Sequence, residues 1–219
     1  FDRFSQKIHD KDHLYSLLCA DDFLLEALVV LFSGSQVLTD TLLKTPGHFD
    51  WLKLPETLKE PKSKDALFRD FYSMAETDDF DDRLPSLLRK FKQREYIRIG
   101  LRDLMGLAEL KENVEDISNL ANVCLQLGYE YADRCLKKKY GTPMHQDEQG
   151  EWKETEFSIF GMGKLGGKEL NYSSDIDLIY LYESSHGQTR PKKGLDLDTP
   201  LTNHEYFTKL GQLLTKTIN

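Results

Sequence analysis

The chain has 219 residues, of which 39% are hydrophobic and 11% aromatic, which is enough apolar material for a core and excludes a wholly disordered chain. Its net charge of -8 and pI of about 5.3 argue against bulk binding to a nucleic-acid backbone and leave room only for a local basic patch. The mean hydropathy of -0.53 and 30% charged residues describe a water-facing chain, and no apolar run approaches the ~20 residues of a transmembrane helix.

Residues 1 to about 140 read as helices. Asp21 and Asp22 can cap a helix running to about Phe32, with Gly34 as its stop. Ser35 restarts a helix that ends before Pro46. Pro46 to Pro61, with Trp51, reads as a short broken connection. Ser63 caps a segment with Ala66, Leu67, Phe68, Phe71, Tyr72 and Met74 at helical spacing. The acidic cluster Asp78, Asp79, Asp81 and Asp82 precedes a long helix from about Leu84 to Met105, where negative charge suits the positive end of the helix dipole. Leu84, Leu87, Leu88, Phe91, Ile97, Leu101 and Leu104 form its apolar stripe. Arg94, Arg98 and Arg102, at i, i+4 spacing with Lys90 extending the stripe, read as a solvated face or as pairing with Glu95 and Asp103. A further helix from about Val114 to Tyr140 is ended by Gly141-Thr142-Pro143.

The texture then changes. His145 to Thr155 is polar and reads as a loop or hairpin turning at Gly150. Phe157 to Met162 is short and apolar, a strand. Asp175 to Tyr182 alternates and then becomes apolar, a second strand. Ser184 to Thr199 reads as a surface loop, and Thr202 opens an amphipathic helix with Tyr206, Phe207, Leu210, Leu213 and Leu214. Cys19, Cys124 and Cys135 are odd in number and lack C-x-x-C spacing, so neither a disulfide framework nor a thiolate zinc site is expected. They read as core residues of a protein in a reducing cytoplasm. His9 and His13 are also i, i+4, with no acidic ligand motif beside them. Phe1 is not an initiator methionine and Asn219 falls inside a helical pattern, so a fragment of a longer protein is expected.

One stretch carries chemistry. Gly161, Gly163, Gly166 and Gly167 fall within seven residues, directly after a strand. Glycine permits positive φ and close approach of backbone N–H groups to an anion such as phosphate. The spacing satisfies neither a P-loop nor a clean dinucleotide fingerprint, and by itself it also suits an ordinary tight turn. Asp175 and Asp177 sharpen the reading. On a strand, residues i and i+2 share a face, so two carboxylates would project side by side. Adjacent carboxylates stay ionised most easily around a cation, and oxygen ligands of this kind suit Mg²⁺ shared with substrate phosphates.

The string Gly-Met-Gly-Lys-Leu-Gly-Gly-Lys-Glu-Leu-Asn-Tyr-Ser-Ser-Asp-Ile-Asp-Leu, residues 161 to 178, resembles the signature of the glutamine synthetase adenylyltransferase/deadenylylating family, within the nucleotidyltransferase superfamily. Residues 91 to 104 and 201 to 207 support the resemblance, which covers most of residues 80 to 219. It implies an α+β fold: a helical region over 1–143, then a nucleotidyltransferase-like core over 144–219, with a mixed sheet truncated at its C-terminal side. That family carries two copies of the domain. One removes AMP from a tyrosine of glutamine synthetase by phosphorolysis, and the other adds AMP from ATP. Leu-Asn-Tyr-Ser-Ser-Asp-Ile-Asp and Leu-Thr-Asn-His-Glu-Tyr-Phe look more like the N-terminal, deadenylylating copy.

The resemblance makes Asp175 and Asp177 the catalytic metal ligands for Mg²⁺. Gly161, Gly163, Lys164, Gly166, Gly167, Ser173 and Ser174 would be nucleotide-binding residues. Solvent exposure for Lys164 and turn capping for Ser173 and Ser174 are the competing readings. Lys164 also stands where the superfamily has a small polar residue, if Gly163 is the equivalent glycine. The superfamily's third carboxylate comes from a later strand and is not seen before Asn219. Implied partners are glutamine synthetase, AMP, ADP or ATP with phosphate, and a PII-type signalling protein, with neither nucleic acid nor membrane. The alternatives are ATP-dependent adenylylation and a non-catalytic regulatory or protein-binding module.

Overall fold

In a computed structural model of the protein, residues 1–54, 56–75, 80–191 and 200–219 are described, the side chains of 80–82 excepted. The acidic cluster from Asp78 to Asp82 therefore lies outside the described side chains. Seven helices precede the long α8, Leu110–Tyr140, among the described residues: α1 Asp2–Ser5, α2 Lys11–Ala20, α3 Asp22–Gly34, α4 Gln36–Lys44, α5 His48–Leu52, α6 Lys64–Met74 and α7 Phe80–Leu104. Four of their starts are chemically marked. Asp10, Asp21, Ser35 and Ser63 each accept a backbone N–H from the first turn of α2, α3, α4 and α6. The connection from Pro46 to Pro61 is more ordered than its prolines imply, because it holds α5.

After α8 come β1 Thr142–Gln146, β2 Trp152–Glu154, β3 Phe157–Gly161, α9 Gly163–Gly166, β4 Leu178–Tyr182, β5 Gln188–Arg190 and α10 Asn203–Ile218. The fold is α+β with a helical N-terminal part. The expected mixed sheet is replaced, among the described residues, by two small antiparallel sheets, in orders β2-β1-β5 and β3-β4. His145 to Thr155 is the anticipated hairpin, pairing Met144 with Glu154. The stretch read as a loop from Ser184 onward contains β5, which pairs with β1; residues 192–199 lie outside the described part. Gly141 (φ +81°) makes the turn from α8 into β1, where a Cβ would stand 2.3 Å from the Arg190 carbonyl oxygen. Thr202 and Glu205 form a capping box that starts α10.

Three apolar clusters hold the chain together. Residues of α2 to α5 pack on Ile97 and Leu101 of α7. Residues of α6, α7 and α8 enclose Leu165 and Leu170. Ala132 and Leu136 of α8 pack on Tyr206, Phe207, Leu210 and Leu214 of α10, with Phe157, Ile159, Tyr180 and Tyr182 of the β3–β4 sheet against them. Helices α7 and α8 thus belong to two clusters each. The helical part and the sheet share side chains across their junction.

The arginine stripe of α7 is not a solvated face. Arg98 is 0% and Arg102 1% exposed. Arg98 donates from Nε to Glu95 at 2.7 Å and from Nη2 to Asp116 of α8 at 2.7 Å. Arg102 donates to the Leu58 carbonyl at 2.7 Å and pairs with Glu112. Lys62 closes the network on Asp70 and Glu95. A buried guanidinium needs partners for its fork. Here Glu95 on the same helix, Asp116 and Glu112 of α8 and the Leu58 carbonyl supply most of them, while Arg102 Nε has none among the described residues. Cys19 likewise departs from expectation: it is exposed, whereas Cys124 is buried and Cys135 partly so.

Candidate functional site

The site is built where β3 runs into α9 and where the chain returns into β4. Strand β4 begins at Leu178, so Asp175 and Asp177 precede it rather than start it. The extended pattern nevertheless reaches back to them. The Met162 N–H donates to the Asp177 carbonyl at 2.8 Å, one step beyond the Gly161–Leu178 pair that ends the ladder. Exposure alternates from Ser173 to Tyr182. Asp175 and Asp177 therefore share the solvent face with Ile179 and Leu181, and Ile176 and Leu178 point inward.

The glycines divide by role. Gly163 adopts φ +52°, and a Cβ there would lie 3.7 Å from Asp177 Oδ2. A Cβ on Gly161 would meet the Leu165 side chain at 2.8 Å, and one on Gly166 would meet the Gly161 carbonyl oxygen at 2.6 Å. These two let α9 fold down onto the end of β3. Gly167 has ordinary space, with its nearest neighbour at 3.6 Å. Lys164 is exposed, as are Gly163 and Gly167 beside it.

Ser173 and Ser174 sit in a turn organised by Asn171. Asn171 Oδ1 accepts from the Ser173 N–H at 3.2 Å and the Ser174 hydroxyl at 2.8 Å, and the Asn171 N–H donates to Ser174 Oγ at 3.1 Å. In this arrangement both serines are turn-capping residues. Leu170 is 2% exposed, and its N–H donates to Ser118 Oγ of α8 at 3.3 Å. Tyr172 shares a cavity wall with Asp103 of α7, its ring lies 6.3 Å from that of Tyr96, and burial followed by the charge of Asp103 raises its pKa.

Two cavities flank this turn. One, of about 540 Å³, runs between α7, α8, α10 and the segment from Leu170 to Tyr180, with Lys92, Asn171, Ser174 and Asp175 among its polar walls. The other, of about 630 Å³, is more apolar and lies between α4, α7 and Tyr172–Ser173.

Asp175 and Asp177 are hard oxygen donors, adjacent and open to solvent. Among the described residues no group of three or more histidine, cysteine or acidic side chains is placed to hold a metal. Two carboxylates with open surroundings fit Mg²⁺, which keeps waters and takes phosphate oxygens in its remaining positions. They do not fit zinc, whose structural sites use four closed nitrogen or sulfur ligands. No single helix among the described residues is long and apolar enough to cross a membrane.

Strand, glycine turn and exposed carboxylate pair, packed on a helical scaffold, define the class of site. Residues 25–219 match the family profile described as glutamate-ammonia ligase adenylyltransferase, and the chain belongs to that family. It is similar to the bifunctional glutamine synthetase adenylyltransferase/adenylyl-removing enzyme of Pseudomonas aeruginosa, 40% identical over 64% of this chain and 13% of the relative. The enzymes of the same description from Shewanella loihica (30% identical, 88% of this chain, 19% of the relative) and Shewanella woodyi (30%, 100% and 22%) are further relatives. The chain thus spans about a fifth or less of the length of these relatives.

The motif reading did not single out Leu170, whose N–H bonds Ser118 of α8, or Tyr172, whose ring lies 6.3 Å from that of Tyr96 on α7. Their one local signal is that both lie inside the motif without being glycine, serine or aspartate.

Proposed function

We propose that this chain contributes the site that removes AMP from an adenylylated tyrosine of glutamine synthetase by phosphorolysis, within a bifunctional cytoplasmic regulator of nitrogen assimilation. The observation that carries the reading is the exposed pair Asp175 and Asp177 beside Gly163. Family membership supports glutamine synthetase and nucleotides as its partners. The Asn-Tyr-Ser-Ser-Asp-Ile-Asp string supports the deadenylylating activity.

In the reaction, an oxygen of inorganic phosphate attacks the AMP phosphorus. The bond from phosphorus to the tyrosine oxygen breaks, ADP forms, and the tyrosine leaves as a phenolate that takes a proton from water. Bound Mg²⁺ supplies charge neutralisation on the phosphoryl oxygens. Asp175 and Asp177 would hold that ion, and so favour the AMP phosphoryl group beside them. Gly163 keeps the space beside Asp177 free of a side chain, and the exposed Lys164 offers a cation to an incoming phosphate. The protein's work is positioning and electrostatics, without a covalent intermediate.

The nucleotide product tests the reading. The full-length enzyme is incubated with adenylylated glutamine synthetase, Mg²⁺ and phosphate, with its other nucleotidyltransferase copy inactivated. ADP release supports phosphorolysis. Transfer of AMP from ATP with pyrophosphate release, and no ADP, would assign this chain the opposite direction.

A further inference from the structure

The β3–β4 sheet has one covered face and one open face. Phe157, Ile159, Tyr180 and Tyr182 pack against α8 and α10 residues, with the Phe157 and Phe207 rings stacked at 5.4 Å and those of Tyr182 and Phe207 at 4.7 Å. The solvated face of such an antiparallel sheet is ordinarily polar. Here it is not. Phe160 stands opposite Ile179 in the ladder and Ser158 opposite Leu181, and Phe160, Ile179 and Leu181 are 51%, 45% and 52% exposed. Met162, also half-exposed, continues the β3 row to the point where its N–H donates to the Asp177 carbonyl. Asp175, Asp177, Ile179 and Leu181 form one row on that same face. An apolar strip therefore begins at the carboxylate pair and runs away from it along the sheet. A contiguous apolar patch on a water-facing surface marks an interaction site.

We propose that this strip is the docking surface for the protein that carries the modified tyrosine. An apolar residue close to that tyrosine in its sequence seats on Phe160, Ile179 and Leu181 while the adenylyl group lies at Asp175 and Asp177. This role rests on the phosphorolysis reading of the site and adds the surface that recognises its protein substrate. Length selects a polypeptide as the occupant. About 13 Å of extended chain separates Asp177 from Leu181, farther than an adenylyl group spans from its phosphorus to the far edge of its base. A nucleotide held at the carboxylates leaves Leu181 bare, whereas a polypeptide presenting the tyrosine crosses it. Continuity selects a visiting occupant over a resident one. The strip joins the carboxylates directly, and their face must open to a protein side chain in each turnover, so its cover arrives and leaves with the substrate. Burial of an aliphatic side chain of this size is enough to change affinity about tenfold.

The test is steady-state phosphorolysis of adenylylated glutamine synthetase by the full-length enzyme with Mg²⁺ and phosphate, its other nucleotidyltransferase copy inactivated. It compares wild type, Leu181→Thr, Leu181→Met and, as a control on the exposed surface of α3, Val29→Thr. Threonine suits an exposed strand position, so Leu181→Thr keeps the wild-type unfolding temperature. In Leu181→Thr the KM for adenylylated glutamine synthetase is expected to rise about tenfold, with kcat and inhibition by the product ADP unchanged. Leu181→Met, which keeps an apolar side chain, and Val29→Thr retain the wild-type KM. An unchanged KM in Leu181→Thr would overturn the docking role. ADP inhibition weakened in parallel with KM would make the strip a nucleotide subsite, and a lowered unfolding temperature would make it a surface covered by the enzyme's own chain; either result overturns the proposal. A wild-type enzyme that releases no ADP fails the phosphorolysis reading itself, and the docking role falls with it.

Discussion

The Asp177 carboxylate lies beside Gly163: a Cβ at Gly163 would stand 3.7 Å from Oδ2. The strand that begins after Asp177 and the turn that follows β3 therefore meet at a glycine with φ +52°. A side chain there would be strained by the backbone, while its Cβ would meet the carboxylate in ordinary contact.

Gly163→Ala and Gly167→Ala separate these effects. Gly163→Ala imposes a left-handed conformation on alanine, at about 1 kcal/mol, and puts a methyl group beside Asp177. Gly167 has φ -77° and room for a methyl group. Phosphate-dependent ADP release by the full-length enzyme is expected to fall at least tenfold in Gly163→Ala and to stay within about twofold of wild type in Gly167→Ala.

Arg98→Met leaves the buried Asp116 without its guanidinium and Glu95 with only Lys62 and Arg94. Removing one partner from such a network costs about 3–5 kcal/mol. Urea unfolding of the variant is expected to show that loss, whereas Arg69→Met, on the half-exposed surface of α6, stays within about 0.5 kcal/mol.

His48 is 6% exposed, and its Nε2 has no hydrogen-bond partner among the described residues. Burial, and then the charges of Arg94 and Lys90, lower its pKa from 6.5 to about 4. The unfolded chain therefore binds a proton at His48 between pH 6.5 and 4 that the folded chain refuses. Stability from this group is fully present above pH 6.5 and declines as pH falls towards 4, by on the order of 2 kcal/mol. His48→Gln is expected to show a smaller loss of stability between pH 7 and pH 4.5 than wild type. Equal losses in the two proteins would remove His48 from the explanation.

Helix starts were legible because their chemistry is local: Asp21, Ser35, Ser63 and Thr202 each bond a backbone N–H within three residues. The glycine turn and Asp-x-Asp were legible for the same reason, though β4 begins later than its alternation suggested. The arginines of α7 were legible only in the pairing of Arg98 with Glu95, which lies on the same helix; their burial was not. An i, i+4 stripe looks alike whether it faces water or carboxylates, and Asp116, Glu112 and the Leu58 carbonyl come from segments remote in the chain. Tyr172 was missed on the same grounds, since Tyr96, whose ring it faces, lies on α7 and its own neighbours are turn residues. Cys19 followed a helical pattern but lands on the outer face of α2.

The decisive comparison is wild type against Asp175→Asn in the full-length enzyme, with adenylylated glutamine synthetase, Mg²⁺ and phosphate, reading ADP release and thermal unfolding together. A carboxylate that holds the cation predicts loss of ADP release by several orders of magnitude at an unchanged unfolding temperature. ADP release at the wild-type rate in Asp175→Asn would contradict the site as assigned.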